Sequence, residues 1–231
     1  KALAELTGER KRAYIVMSGT IQQELGQLKM VTDVLEGAGF TCRSYTDVEP
    51  EPSFQTVLKG AADMAEFAPD WVIGFGGGSA IDCAKAVGAR IARPKTPIRS
   101  MKGILRVLRR IPLLIAVPTT AGTGSEVTLA SVITDSESGH KFPINDFPLI
   151  PRVAVLDVEN TRSLPPAMTA TTGMDALTHA VEAYIGRSTT ASTRADALEA
   201  VRLIFENLEN AYEHGNNIQA REHMLTAAFL A

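Results

Sequence analysis

Asp175 and His179 lie four residues apart in the stretch Thr172-Gly173-Met174-Asp175-Ala176-Leu177-Thr178-His179-Ala180-Val181-Glu182. On a helix, at about 100° per residue, a carboxylate and an imidazole at that spacing stack on one face. Such a pair can share a divalent cation. Glu182 joins them within an arc of about 60°. Met174, Leu177, Val181, Tyr184 and Ile185 fall within a neighbouring arc of about 100°, the width of a core-facing stripe. An isolated Asp-x-x-x-His also occurs as an ordinary solvated helix face, so the spacing alone leaves both readings open.

Two glycine-rich stretches carry a second chemistry. Gly76-Gly77-Gly78-Ser79 follows an apolar strand-like run and precedes a helical pattern. Glycines let the backbone turn sharply and approach a ligand, and a helix start attracts a phosphate. Asp82 could then bond a ribose hydroxyl, and Lys85 could add positive charge. The second stretch, Thr119-Thr120-Ala121-Gly122-Thr123-Gly124-Ser125-Glu126, also follows a strand pattern. In an open α/β sheet, ligands bind at the carboxyl ends of the strands. Neither stretch has the spacing of the G-x-G-x-x-G fingerprint or of a Walker A loop. Tight strand-to-helix turns use glycine for purely structural reasons as well.

The elements that must position these residues alternate. Helical spacing covers Leu3 to Glu9, Ile21 to Leu35 (stopped at Gly37 and Gly39), Phe54 to Phe67 (capped by Ser53) and Ala80 to Ala92. Strand patterns cover Arg12 to Met17, Phe40 to Tyr45, Trp71 to Phe75, Pro112 to Val117, Leu129 to Thr134 and Val153 to Asp157. This alternation predicts an α/β fold with a parallel, doubly wound sheet. After Leu164-Pro165-Pro166 only helices are expected: Met168 to Ile185, Thr193 to Tyr212 and Ile218 to Ala231. The expected division is therefore an α/β dinucleotide-binding domain over residues 1–164 and the start of an all-helical domain over 165–231. The opening Lys1 and the closing apolar run Ala227 to Ala231 read as a chain covered only in part.

Composition narrows the classes. The 231 residues are 45% hydrophobic and 21% charged, with a net charge of −3, a globular mix with no general attraction for nucleic acid or anionic membrane. The acid-free segment with Arg99, Lys102, Arg106, Arg109 and Arg110 reads as a solvated basic helix face. Cys42 and Cys83 are too few for a disulfide framework and fit a reducing cytoplasm. No apolar run has the length of a membrane span.

The three stretches together resemble the iron-containing (group III) alcohol dehydrogenases. The match rests on Gly76 to Ser79 with Asp82 and Lys85, on Pro118 to Thr128, and on Thr172 to Glu182. The resemblance implies a Rossmann-like N-terminal domain, a helical C-terminal domain, NAD or NADP, and iron or zinc in the cleft between them. Carried over by position, it makes Gly77, Gly78, Ser79 and Asp82 contacts to pyrophosphate and ribose. Thr119, Thr120, Thr123 and Ser125 become the second cofactor loop, and Lys141 a further cofactor contact. Asp175 and His179 become the first two metal ligands, with two later histidine ligands expected beyond Ala231. His140, His214 and His223 are read as loop and surface residues, and Glu182 as a neighbour of the site or plain helix surface. Ser18 stands where many NAD-preferring relatives carry an aspartate, which predicts a leaning toward NADP.

The implied activity is interconversion of a primary alcohol or diol and its aldehyde by hydride transfer, with Asp175 and His179 as the catalytic metal-binding pair. A homo-oligomer acting on small molecules in the cytoplasm is expected, with no nucleic-acid or membrane partner. Two alternatives stand beside it. One is a nucleotide-binding fragment, inactive because two ligands are missing. The other is a metal- and NAD-dependent lyase resembling dehydroquinate synthase.

Overall fold

The computed structural model describes residues 10–19 and 26–231. The helix expected over Leu3 to Glu9, and the first residues of the one expected from Ile21, lie outside that range.

Five parallel strands form the main sheet: β1 (Arg12–Ser18), β2 (Thr41–Val48), β3 (Trp71–Gly76), β5 (Leu113–Pro118) and β8 (Val153–Ala154), in the order β2-β1-β3-β5-β8. Helices α1 (Gln27–Gly37), α2 (Phe54–Phe67) and α3 (Gly78–Ala92) connect and cover it. Alternate residues of β1 go to opposite faces, as the pleat requires. Ala13, Ile15 and Met17 join Leu35 and Phe40 on one face. Tyr14 and Val16 join Val57, Met64 and Val87 on the other. The chain leaves β1 toward β2 and then returns to β3 on the opposite side. The strand order therefore reverses between β1 and β3, where open α/β sheets hold their ligands.

The α2 boundaries match the expectation, and the cap explains why. Ser53 Oγ accepts from the Thr56 N–H at 3.2 Å. Gly39 adopts φ 82° just past α1, a conformation that suits glycine. Gly74 lets α3 lie close on β3, since a Cβ there would sit 3.1 Å from the Ile81 Cα.

A second sheet departs from expectation. β6 (Ala130–Asp135) does not extend the parallel sheet; it pairs antiparallel with β7 (His140–Asn145), and β4 (Gly103–Ile104) flanks β7. His140 and Lys141 consequently sit on a strand rather than in a loop. The basic segment is likewise no helix face. Arg99 lies in a short 3-10 turn and pairs with Asp135 at 2.8 Å and with Glu137, while the segment continues into β4.

Three helices follow: α4 (Pro166–Ile185), α5 (Ala191–Glu213) and α6 (Ile218–Leu230). Each begins and ends within about two residues of its expected limits. Their mutual packing uses small side chains. Ala176, Ala180, Ala200, Ala211, Ala227 and Ala228 are buried together with Ile204 and Met224. Of the stripe expected to face the core on α4, only Leu177 packs against it. Met174, Val181, Tyr184 and Ile185 are exposed, whereas Thr169, Gly173, Ala176 and Ala180 are buried. A Cβ on Gly173 would collide with the end of the Leu208 side chain and press on the Met224 Cε, so a larger residue there would force both side chains to repack.

Candidate active site: a cofactor-sized cavity

A cavity of about 1110 Å³ opens at the carboxyl ends of β1, β3 and β5 and reaches the flank of α4. That is ample for a dinucleotide, since ligand cavities commonly span about 300–1,000 Å³. Its wall contains Ser18, Gly77, Gly78, Ser79, Asp82, Thr119, Thr120, Thr123, Ser125, Lys141, Asp175 and His179, all expected from the sequence, but not Lys85. Glu182 lines it too.

The two glycine-rich loops meet in this wall. Gly77 caps α3 in an extended conformation with no side-chain hydrogen bond to the helix start. Side-chain capping is the usual protein partner for the first N–H groups, and its absence suits an anion. The Thr119 N–H donates to the Gly76 carbonyl at 3.0 Å. A Cβ on Gly78 would come within 2.7 Å of Thr123 Cγ2, and one on Gly77 within 3.2 Å of Thr120 Cγ2. These glycines are thus required by the contact between the loops as well as by any ligand.

Behind the wall, Asp82 and Lys85 depart from their expected parts. Lys85 is fully buried and does not line the cavity. Its Nζ donates to the Thr128 carbonyl at 2.8 Å, to Thr128 Oγ1 at 3.1 Å and to the Ala130 carbonyl at 2.8 Å. An ammonium has three donors, all of them used here, so Lys85 cannot supply charge to a phosphate. Burial pulls its pKa down to about 8 against the opposing pull of Asp82 and Glu126. Asp82 touches the cavity, but its Oδ1 accepts from Ser125 Oγ at 3.0 Å and its Oδ2 from the Val132 N–H at 2.9 Å. Burial pushes its carboxyl up to about 6, with Lys85 and the two hydrogen bonds opposing. Together these residues fasten α3 to the second glycine-rich loop and to β6. Nothing in the sequence distinguishes a buried lysine of this kind from an exposed one.

Asp175 and His179 stack on α4 as their spacing predicts. His179 Nε2 stands 3.9 Å from Asp175 Oδ1, and the side chains are 40% and 44% exposed, respectively, on the cavity side. A carboxylate oxygen and an imidazole nitrogen side by side suit iron or zinc. Among the described residues, no group of three or more His, Cys, Asp or Glu could hold a metal. His214 is exposed, as expected. His223 is half-buried rather than on the surface; its Nδ1 contacts Asn207 Oδ1 at 2.9 Å, and it does not line the cavity. The second loop abuts α4 directly, since a Cβ on Gly122 would lie 2.8 Å from Thr172 Cβ and 2.9 Å from the Thr172 carbonyl oxygen.

Glu51 also lines the cavity, between Pro50 and Pro52, and sequence reasoning passed over it. The Pro-Glu-Pro run reads as a plain turn, and only its flanking prolines hint at a constrained backbone.

The family model described as iron-containing alcohol dehydrogenase matches residues 1–158, and that for the C-terminal part of the same family matches 169–231. The chain belongs to the iron-containing alcohol dehydrogenase family. Within that family it is 42% identical over 223 residues to the NADPH-dependent butanol dehydrogenase of Clostridium saccharobutylicum, covering 96% of this chain and 57% of that protein. Its fold superposes on a 1,3-propanediol oxidoreductase with a TM-score of 0.93 at 37% identity, covering 99% of this chain and 59% of the other. A sulfoacetaldehyde reductase from Bifidobacterium kashiwanohense, solved in complex with NAD+, gives a TM-score of 0.87 at 32% identity, with 99% and 60% covered. The chain thus spans somewhat more than half the length of these family members.

Proposed function

We propose that this chain is the cofactor-binding portion and the first metal-binding helices of an NAD(P)- and metal-dependent alcohol dehydrogenase. Its reaction is the interconversion of a primary alcohol or diol and its aldehyde. The observation carrying this reading is that two cofactor-type loops and the Asp175/His179 pair line one cavity. Family membership supports the reaction class. The α/β domain and the helical domain meet near Leu164, and the protein works in the cytoplasm as a homo-oligomer.

Gly77, Gly78 and Ser79 receive the pyrophosphate at the start of α3. Thr119, Thr120, Thr123 and Ser125 line the adjoining wall, where their hydroxyls and the close fit against Gly77 and Gly78 orient the dinucleotide. Asp82 borders the cavity and acts by holding Ser125 in place. Lys141 reaches the cofactor from β7. Asp175 and His179 would hold the cation; when bound, it polarises the alcohol or aldehyde oxygen as a Lewis acid. Glu182, one turn beyond His179, faces the same space and adds negative potential to it.

Ser18, small and neutral at the end of β1, leaves room for a 2′-phosphate and favours NADP. The NADPH-dependent butanol dehydrogenase relative agrees with that leaning. A second reading rests on the donor pair, which belongs to no cluster of three metal-type donors among the described residues: the 231 residues by themselves bind dinucleotide without turning over substrate.

One experiment addresses both readings. NADPH and NADH are titrated into this chain and into the full-length protein, and turnover of small alcohols is assayed with added Fe²⁺ or Zn²⁺. Binding by both, with turnover in the full-length form and a higher kcat/KM for NADPH, is the expected outcome. Absence of dinucleotide binding in both would overturn the assignment, and a strong NADH preference would overturn the leaning to NADP.

A further inference from the structure

Among the described non-glycine residues with positive φ, only Glu51 lines the cavity. Its φ of 58° is a left-handed conformation that a glutamate rarely adopts. Residues held so are found where surrounding contacts over-determine the backbone, often at ligand sites. Here the loop is pinned on both sides. The Thr134 N–H donates to the Pro52 carbonyl at 2.8 Å, and the Ser53 N–H donates to Glu49 Oε1 at 2.8 Å. The Glu51 N–H itself donates to Ser79 Oγ at 3.2 Å, at the start of α3.

This conformation aims the carboxylate across the cavity mouth. Glu51 Oε1 meets Lys141 Nζ at 2.6 Å. Glu51 therefore touches both Ser79 and Lys141, the first with its backbone and the second with its charge. It presents a carboxylate where an anionic cofactor would need a cation.

We propose that Glu51 is the resident counter-ion of Lys141, displaced by an anionic oxygen of the incoming dinucleotide, and so sets how tightly that cofactor is held. The inference rests on the dinucleotide reading above. Two consequences follow from the charges. Removing the carboxylate frees the lysine and ends the repulsion between Glu51 and the phosphates, so affinity rises. Both side chains are more than half exposed, at 58% and 55%, so the effect is modest and screened by salt.

The test is a fluorescence titration of NADPH and of NADH into the full-length protein at low ionic strength. Wild type, Glu51→Gln, Lys141→Met and the double variant are compared. Glu51→Gln should lower the dissociation constant by about two- to five-fold. The gain should shrink at high salt and be smaller in the Lys141→Met background, where only the direct repulsion is left to relieve. Glu51→Asn, which removes the charge and tolerates a left-handed backbone, should give the same gain. An unchanged or weaker affinity in Glu51→Gln, or a gain that is just as large without Lys141, overturns the counter-ion role while leaving the dinucleotide site intact. A wild-type protein that binds no dinucleotide overturns both.

Discussion

The two walls of the cavity are built on opposite terms. On the α/β side, the polar groups behind the surface are committed to one another. Lys85 gives all its donors to Thr128 and Ala130, and both Asp82 oxygens are taken by Ser125 and Val132. On the helical side, Asp175 and His179 stand 40–44% exposed and belong to no cluster of three metal-type donors among the described residues. Packing differs in the same way. The sheet buries Trp71, Tyr14 and Phe75, while the helices join through alanines and Gly173 and leave Ile185 and Phe205 at 70% and 74% exposure. One wall is a finished, preorganised cradle; the other is a donor pair on a helix whose large side chains have no cover among the described residues.

The contrast can be broken most sharply at the donor pair. His179→Ala in the full-length protein should remove metal-dependent turnover by more than the about 10–100-fold typical of changes outside the ligand shell. The NADPH dissociation constant should stay within two-fold, because the cradle is independent of the pair. Turnover that survives would remove His179 from the site.

Lys85→Met probes the cradle from the other side. It strands two part-buried carbonyls and leaves Asp82 without its nearby cation, so chemical denaturation should show a loss of about 3 kcal/mol. A loss under about 1 kcal/mol would mean that the buried network does not hold the loop.

A pH series sharpens the same point with a smaller effect. The folded Asp82 carboxyl, at about 6, lies above its ordinary value of 3.8. The folded state therefore binds the proton more tightly than the unfolded chain. This contribution to stability is complete below about 3.8 and is lost as the pH rises through about 6. Denaturation midpoints of wild type and Asp82→Asn, compared from pH 4 to 7, should show the wild type losing ground over that window. Parallel curves would contradict the assignment.

The smallest effect belongs to the uncovered face. Phe205→Ser should leave the unfolding free energy of this chain within about 0.5 kcal/mol of wild type, as for other exposed positions. A clear loss would show that the side chain is covered after all.

What the sequence revealed follows the same division. The strand-loop-helix order, the Ser53 cap and the i, i+4 stacking of Asp175 and His179 are local properties, and local periodicity records them. The partners of Lys85 are 43 and 45 residues away in the chain, and its type gives no sign of burial. β7 is not legible in the sequence because His140-Lys141-Phe142-Pro143 mixes charge and proline, an unusual composition for a strand with a neighbour on each side. The α4 stripe was misread because hydrophobicity was taken as the mark of an interface. Close helix approach at Gly173 and Ala176 selects for small size instead, and size leaves little trace in an apolar pattern.

Three successive residues of the second loop abut three different helices: Gly122 on α4 at Thr172, Thr123 on α3 at Gly78, and Gly124 on α6 at the Ala228 carbonyl. A body held at three points has no freedom left to slide, and close-packed interiors transmit strain rather than absorb it. The loop is therefore positioned jointly by α3, α4 and α6, and it cannot shift against one of them without straining its fit against the others.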